Sequence, residues 1–101
     1  MRNERITLVT MIPEGTEIRE ELYQVFAERK SLTRSEFYSS YQVGLTGRWI
    51  FNIDPDDFEM TRHVQEDQTE LYATKVIYKD AVFDIVRTYQ SGAGTMEITV
   101  R

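Results

Sequence analysis

The sequence has 101 residues, of which 41% are apolar and 29% charged, and this predicts a single globular domain spanning residues 1–101. It contains no cysteine, which excludes disulfides, thiol catalysis and cysteine-ligated zinc. No apolar run approaches the roughly 18 residues that a membrane-spanning helix needs, so we expect no role in a membrane. The net charge is −5, and the acidic excess lies in the second half of the sequence, because residues 51–101 contain 5 basic and 10 acidic side chains.

The chain begins with a predicted strand. Apolar side chains alternate along residues 6–12, Pro13 is expected to end the strand, and residues 13–16 have the composition of a turn. The next segment, residues 17–30, is ambiguous. Ile18, Leu22 and Phe26 recur at helical spacing, yet side chains of the same segment also alternate in the manner of a strand. The residues themselves leave helix and strand open.

A short helix is predicted around residues 33–43. Thr33 and Glu36 have the spacing of a capping box, and Gly44 suits a left-handed C-terminal cap. Large apolar side chains recur every fourth residue from Phe37 to Leu45, as on one face of a helix. Phe37 is expected in the core. Tyr38, Tyr41 and Trp49 could stack on bases, but few basic residues lie among them, so core or subunit contact is the preferred interpretation.

Side chains alternate along residues 48–53, which predicts another strand, rich in aromatic residues. Pro55 disfavours helix at Asp54, so a break in regular structure is expected there. Between Phe58 and Gln68 the apolar pattern is weak, which favours a loop or an irregular strand.

The last third of the sequence has the strongest strand pattern. Residues 72–78 and 81–90 are predicted to form a hairpin around a Lys79-Asp80 turn, and a second turn at 91–94 leads into a closing strand at 96–100. Within the second hairpin strand, one face is expected to carry Phe83, Ile85, Arg87 and Tyr89, and the other face Val82 and Val86. These elements predict a mainly β (α+β) fold, a small β-barrel of five to seven strands with one short helix inserted around residues 33–43.

No arrangement of residues indicates catalysis. His63 is the only histidine and has no accompanying nucleophile motif, so a structural histidine is the preferred interpretation. Asp54, Asp56 and Asp57 lack the spacing of a calcium loop, and no phosphate-binding or dinucleotide-binding motif occurs. We expect no cofactor and no metal. The acidic excess also argues against a protein that grips DNA by its phosphates.

The ordered set of segments resembles the head–tail joining proteins of tailed bacteriophages and prophages, also called head-closure or stopper proteins. The sequence departs from the family at Asp80, where the family usually has glycine in the hairpin turn, and at Phe83, where it usually has tyrosine. Its acidic stretch through Glu70 is also longer than the family pattern. The residues matching the family pattern include Ser35, Glu36, Phe37, Gly44, Leu45, Arg87, Tyr89 and Glu97.

The resemblance implies a fold and a structural, non-enzymatic function. The fold is a small β-barrel with a helix between strands, and it favours a strand at residues 22–30. Copies of such a protein form a homo-oligomeric ring beneath the portal and adaptor complex, close the DNA exit channel and provide the docking surface for tail proteins. The location is then the connector of the virion, and the bacterial host cytoplasm during assembly. Outside the particle a monomer is expected.

Two surfaces follow from this interpretation. Acidic residues would project into the channel and let DNA pass without sequence-specific binding, although an outward-facing acidic segment is an equal alternative. These channel residues are Asp54, Asp56, Asp57, Glu59, Glu66, Asp67 and Glu70. The expected subunit or partner surface comprises Tyr38, Tyr41, Val82 and Val86. The alternative functions are a tail-completion protein or a small barrel that binds a peptide on an exposed edge.

Overall fold

Alternating side chains form strands along most of the chain in the computed structural model, which describes residues 3–30, 49–90, 92 and 94–101. The predicted helix at 33–43 lies outside these residues. The elements, in chain order, are β1 (Glu4–Glu14), β2 (Glu17–Lys30), β3 (Trp49–Ile53), α1 (Pro55–Glu59), β4 (His63–Val64), β5 (Glu70–Leu71), β6 (Lys75–Tyr78), β7 (Ala81–Gln90) and β8 (Met96–Val100).

Six of the strands close an antiparallel barrel in the order β1-β2-β3-β8-β7-β6, and β4 and β5 form a separate two-stranded sheet. The mainly β small barrel predicted from the sequence is confirmed. Its interior is filled by side chains from all six strands, including Leu8, Val25, Phe51, Val76 and Ile98. The Phe51 ring is fully buried and meets Tyr78 edge to face at 5.1 Å between ring centroids. The barrel interior is therefore a packed core.

The ambiguous segment, residues 17–30, is the strand β2, as the resemblance favoured for residues 22–30. It pairs with β1 without interruption from Glu4↔Ala27 to Glu14↔Glu17, so tertiary pairing overrides the helical spacing. The expectation that Pro13 ends β1 is wrong, because Pro13 remains in the ladder opposite Ile18. Glu14 and Glu17 flank a two-residue turn and form the hydrogen-bonded pair, so the proline nitrogen faces away from β2 and no ladder bond is lost.

A short helix replaces the break that was expected after Asp54. Asp54 is the N-cap of α1, and its carboxylate accepts a hydrogen bond of 2.9 Å from the Asp56 backbone N–H. Pro55 occupies the first turn, where its missing N–H costs nothing, so it starts this helix. The expected break at residues 54–58 is therefore wrong, because Pro55 starts a helix. From Met60 to Gln68 the structure has turns and the two-residue strand β4, in agreement with the loop or irregular strand that was expected there.

The β6–β7 hairpin confirms the predicted turn and the strand at residues 81–90, whereas its first strand begins at Lys75 and not at residue 72. The faces of β7 also differ from the prediction. Lys79 and Asp80 have φ values of 50° and 65°, as a two-residue turn of mirror type requires. A bulge between Ile85 and Arg87 then shifts the pairing of β7 with β8. Phe83 and Ile85 face the core, whereas Tyr89 lies opposite Glu97 and is 60% exposed. The prediction that Arg87 and Tyr89 share the face of Phe83 was wrong because an inserted residue reverses the alternation.

Replacement of Phe51 tests the core. Phe51→Ala removes a fully buried ring and its contact with Tyr78, so we expect a loss of about 3–5 kcal/mol in the free energy of unfolding, measured by urea denaturation. The matched control is Val82→Ala, because Val82 is 61% exposed on β7 and its truncation should change stability by at most about 0.5 kcal/mol. Equal losses in the two variants would contradict this packing.

Candidate functional site

The acidic segment, residues 54–70, is the most distinctive surface of the described chain. It contains seven acidic side chains and one arginine. Its first part is α1, and its second part is the small β4–β5 hairpin. Five of its acids are exposed, and Asp54 and Asp57 are half-buried. The exposed acids are Asp56, Glu59, Glu66, Asp67 and Glu70.

Phe58 anchors α1 to the barrel. Its ring is 9% exposed, belongs to the core, and stacks parallel on Tyr72 at 5.5 Å between centroids. The Tyr72 hydroxyl lies 3.4 Å from both carboxylate oxygens of Glu59. Partial burial, followed by the negative charge of Glu59, raises the pKa of Tyr72. An aromatic contact thus fixes the helix whose acids face solvent.

A buried threonine provides the second anchor. The Thr61 hydroxyl donates to the Phe58 carbonyl at 2.7 Å and accepts from the Ala73 N–H at 3.1 Å. The Thr61 carbonyl in turn accepts from the Thr10 hydroxyl at 2.8 Å. Both threonines are fully buried. These bonds tie the acidic segment to β1 and to the connection between β5 and β6, so the acids are attached to a fixed part of the fold.

The tip of the β4–β5 hairpin is closed by Asp67. Its carboxylate accepts a hydrogen bond of 3.0 Å from the Thr69 backbone N–H, and this bond lowers the pKa of Asp67. The Gln65 N–H donates to the Thr69 carbonyl at 2.8 Å. Glu70 pairs with Arg62 at 3.2 Å in a solvent-exposed ion pair. The single arginine of the segment therefore already has an acidic partner.

The tip of the β1–β2 hairpin faces the β4–β5 hairpin across an open cleft of about 610 Å³. Its lining includes His63, Glu66 and Asp67 from one side and Glu14 and Arg19 from the other. Arg19 is held by Glu14 and Glu21, each at 2.6 Å. The pKa of Glu21 is lowered mainly by a hydrogen bond from the Tyr23 hydroxyl, and further by the hydrogen bond from Arg19. Of the charged residues lining this cleft, Arg19 and Glu14 are thus paired with each other.

The structure offers no metal site in the part of the chain it describes, since no three histidine or acidic side chains there lie close enough together. None of the described helices is long and apolar enough to cross a membrane. Trp49 is half-buried, with the Arg29 guanidinium 4.5 Å from its ring centroid, so that ring already has a stacking partner.

The residues proposed from the sequence fall into three groups. The acids of residues 54–70 are brought together on the anchored segment. On β7, Val82 is exposed and Val86 half-buried at the bulge, while Arg87 and Tyr89 are exposed near half-buried Glu97. A third group lies outside the described residues: Ser35, Glu36, Phe37, Tyr38, Tyr41, Gly44 and Leu45. Sequence reasoning missed Thr61 and Thr10, because isolated threonines carry no signal of a shared hydrogen bond across 51 positions.

Compared with protein-family models and with curated proteins, the sequence matches none. The resemblance to head-closure proteins therefore depends on the residues quoted for it.

Removing the Thr61 hydroxyl tests whether it anchors the acidic segment. Thr61→Val keeps the shape of the side chain but leaves the buried Ala73 N–H without its acceptor, which should cost about 1–3 kcal/mol of unfolding free energy. The control Thr74→Val changes an exposed threonine on the same side of the barrel and should be nearly neutral. No difference between the two variants in chemical denaturation would refute the anchor.

The Asp67 turn makes stability depend on pH. Because the folded-state pKa of Asp67 is lowered, its contribution is fully present above the unfolded pKa of about 3.9 and is lost as the pH falls through the folded value. Asp67→Asn should therefore lower stability at pH 7 and have less effect at pH 2.5. Glu66→Gln removes a neighbouring charge without removing the bond to Thr69. Unfolding curves at both pH values should separate the two variants, and identical pH profiles would contradict the assignment.

Proposed function

We propose that the protein is a head-closure, or stopper, protein of a tailed bacteriophage or prophage, with a structural function in the virion connector. The observation that carries the proposal is the acidic segment fixed on a closed small barrel by Phe58 and Thr61. A fixed acidic projection suits a channel through which DNA must slide without adhering. The order of segments in the sequence, with its resemblance to the head-closure family, supports the same function.

Electrostatics explains why such a segment suits a DNA channel. Carboxylates repel phosphates, so DNA passes with little binding, while the protein mass obstructs the channel mechanically. The described basic side chains add little attraction, because several already have partners. Lys30 and Lys75 pair with Glu97 and Asp84, and Arg5, Arg29 and Lys79 lie over aromatic rings.

In this proposal copies form a ring beneath the portal and adaptor complex and present a surface to the tail. The ring closes the DNA exit, and the segment of residues 54–70 faces its lumen. The exposed Val82 belongs to the surface available to neighbours. Assembly takes place in the bacterial host cytoplasm.

A second candidate is a small barrel module that binds an extended peptide on an exposed edge. The long strand β2 favours it, because most of one edge of β2 pairs with no strand among the described residues and such an edge can accept another strand. Size-exclusion chromatography with the purified portal–adaptor complex of the same genome distinguishes the two. A stopper co-elutes with that complex, whereas a peptide module does not, and failure to co-elute overturns the proposed function.

Neutralising the acidic segment tests its role in the channel. Asp56→Asn, Asp57→Asn, Glu66→Gln and Asp67→Asn combined should leave the barrel folded but change DNA retention or ejection in assembled particles, because phosphate repulsion is reduced.

The control changes the same number of acids elsewhere, at Glu4, Glu17, Glu20 and Asp80, and should leave retention and ejection at the level of the unmodified protein. Circular dichroism verifies folding of both variants. If the first variant packages, retains and ejects DNA like the control, the acids of residues 54–70 do not face the channel.

A further inference from the structure

We infer that β2 carries a self-association surface, through which two copies of this chain pair edge to edge about a two-fold axis centred on Leu22. This dimer is separate from the ring proposed above and independent of the proposed function. It differs from the monomer that the resemblance implies outside the particle.

The edge exists because β2 is longer than its neighbour. β2 pairs with β1 along its whole length on one side, but on the other side it pairs with β3 only at Glu28–Lys30. Glu14 and Glu17 form the hydrogen-bonded pair at the two-residue turn, so even-numbered residues of β2 direct their N–H and C=O groups away from β1. From residue 18 to residue 26 these groups meet no strand in the described part of the chain.

Among the described residues, this edge is protected only by its charged side chains, at Glu17, Arg19, Glu20 and Glu21. Residues 17–27 contain no proline and no lysine, and the ladder with β1 runs through them without a bulge. Instead, the outer face carries three large apolar side chains at even spacing. Ile18 is 62% exposed, Leu22 60% and Phe26 54%. Within the described residues, backbone groups and apolar side chains are thus both available to a further strand, although the Arg5 guanidinium lies 5.4 Å from the Phe26 ring centroid.

The sequence of β2 is complementary to itself in one antiparallel register. With Leu22 opposite Leu22 of a second copy, Ile18 lies opposite Phe26, and Glu20 lies opposite Gln24. On the other face, Glu21 lies opposite Tyr23, Glu17 opposite Ala27 and Arg19 opposite Val25. Every acid then meets an uncharged residue, and every exposed apolar side chain meets another.

Neighbouring registers are less favourable, because they place like charges, or an apolar and a polar side chain, opposite each other. Centring on Glu20 or on Glu21 places identical carboxylates opposite each other, and centring on Tyr23 places Leu22 opposite Gln24. Centring on Gln24 brings Glu20 opposite Glu28. Like charges directly opposite each other destabilise a sheet, so the Leu22 register is the favoured one. A four-stranded arm β1-β2-β2-β1 results, with the apolar stripe continuous across it.

Single-cysteine cross-linking tests this register, because the natural chain has no cysteine. Leu22→Cys should form a disulfide-linked dimer under mild oxidation, since hydrogen-bonded partners have Cα atoms about 5.5 Å apart. Ile18→Cys alone should stay monomeric on a non-reducing gel, as its two copies are about 26 Å apart along the strand. A mixture of Ile18→Cys and Phe26→Cys should give the mixed dimer.

A charge substitution tests the same surface without a cross-link. Leu22→Glu places two carboxylates opposite each other on the two-fold axis and should shift the dissociation midpoint in sedimentation at least tenfold. The control Tyr89→Glu introduces the same charge at a residue of equal exposure, 60%, outside both the β2 edge and the expected subunit surface, and should leave the midpoint unchanged.

The inference is overturned if the unmodified protein sediments as a monomer up to millimolar concentration, or if Leu22→Cys cross-links no faster than Tyr89→Cys, a residue of equal exposure. Neither result bears on the connector function, which co-elution with the portal–adaptor complex tests separately.

Discussion

The structure depends on a mismatch of strand lengths within a closed barrel. A barrel removes sheet edges by giving every strand two neighbours, but only as far as those neighbours extend. The strands β1 and β2 have 11 and 14 residues, whereas β6 has four and β3 five. The extra length of the β1–β2 hairpin must leave the barrel as a two-stranded arm. The same mismatch therefore produces the free edge of β2, the arm tip and one wall of the cleft.

The second constraint is the need to place seven acids on a small domain without destabilising its core. Charged carboxylates are costly to bury, so the segment of residues 54–70 is held by uncharged groups. Phe58 supplies the apolar contact, and the Thr10–Thr61–Ala73 hydrogen bonds satisfy buried polar groups at the junction. Because uncharged groups anchor the segment and most of its acids are exposed, protonation of these acids should have little effect on the packing of the barrel core. It also explains why a segment with few apolar residues is ordered.

Much of the barrel could be predicted from local patterns, because β3, β7 and β8 alternate clearly and their side chains fill one core. The assignment of residues 17–30 could not be made from the residues themselves, since the spacing of Ile18, Leu22 and Phe26 suits a helix and only pairing with β1 decides otherwise. Helix α1 could have been predicted from the sequence, because Asp54 followed by Pro55 has the composition of an N-cap and first turn. The bulge near Val86 has no sequence signal, so the face of Tyr89 could not be predicted. The acids of the candidate site were identifiable by composition, but their anchors are contacts between distant residues.

Charge also limits how copies of this chain can meet. In the proposed ring, acidic segments of neighbouring subunits would approach one another around the lumen, and their repulsion would oppose assembly, most strongly at low salt. Contacts elsewhere must then hold the ring, and the portal–adaptor complex can supply them by acting as a template. The β2 edge avoids this difficulty, because its favoured register opposes each acid with a neutral side chain. The proposed self-association in solution and the proposed assembly on the portal can therefore use separate surfaces of the molecule.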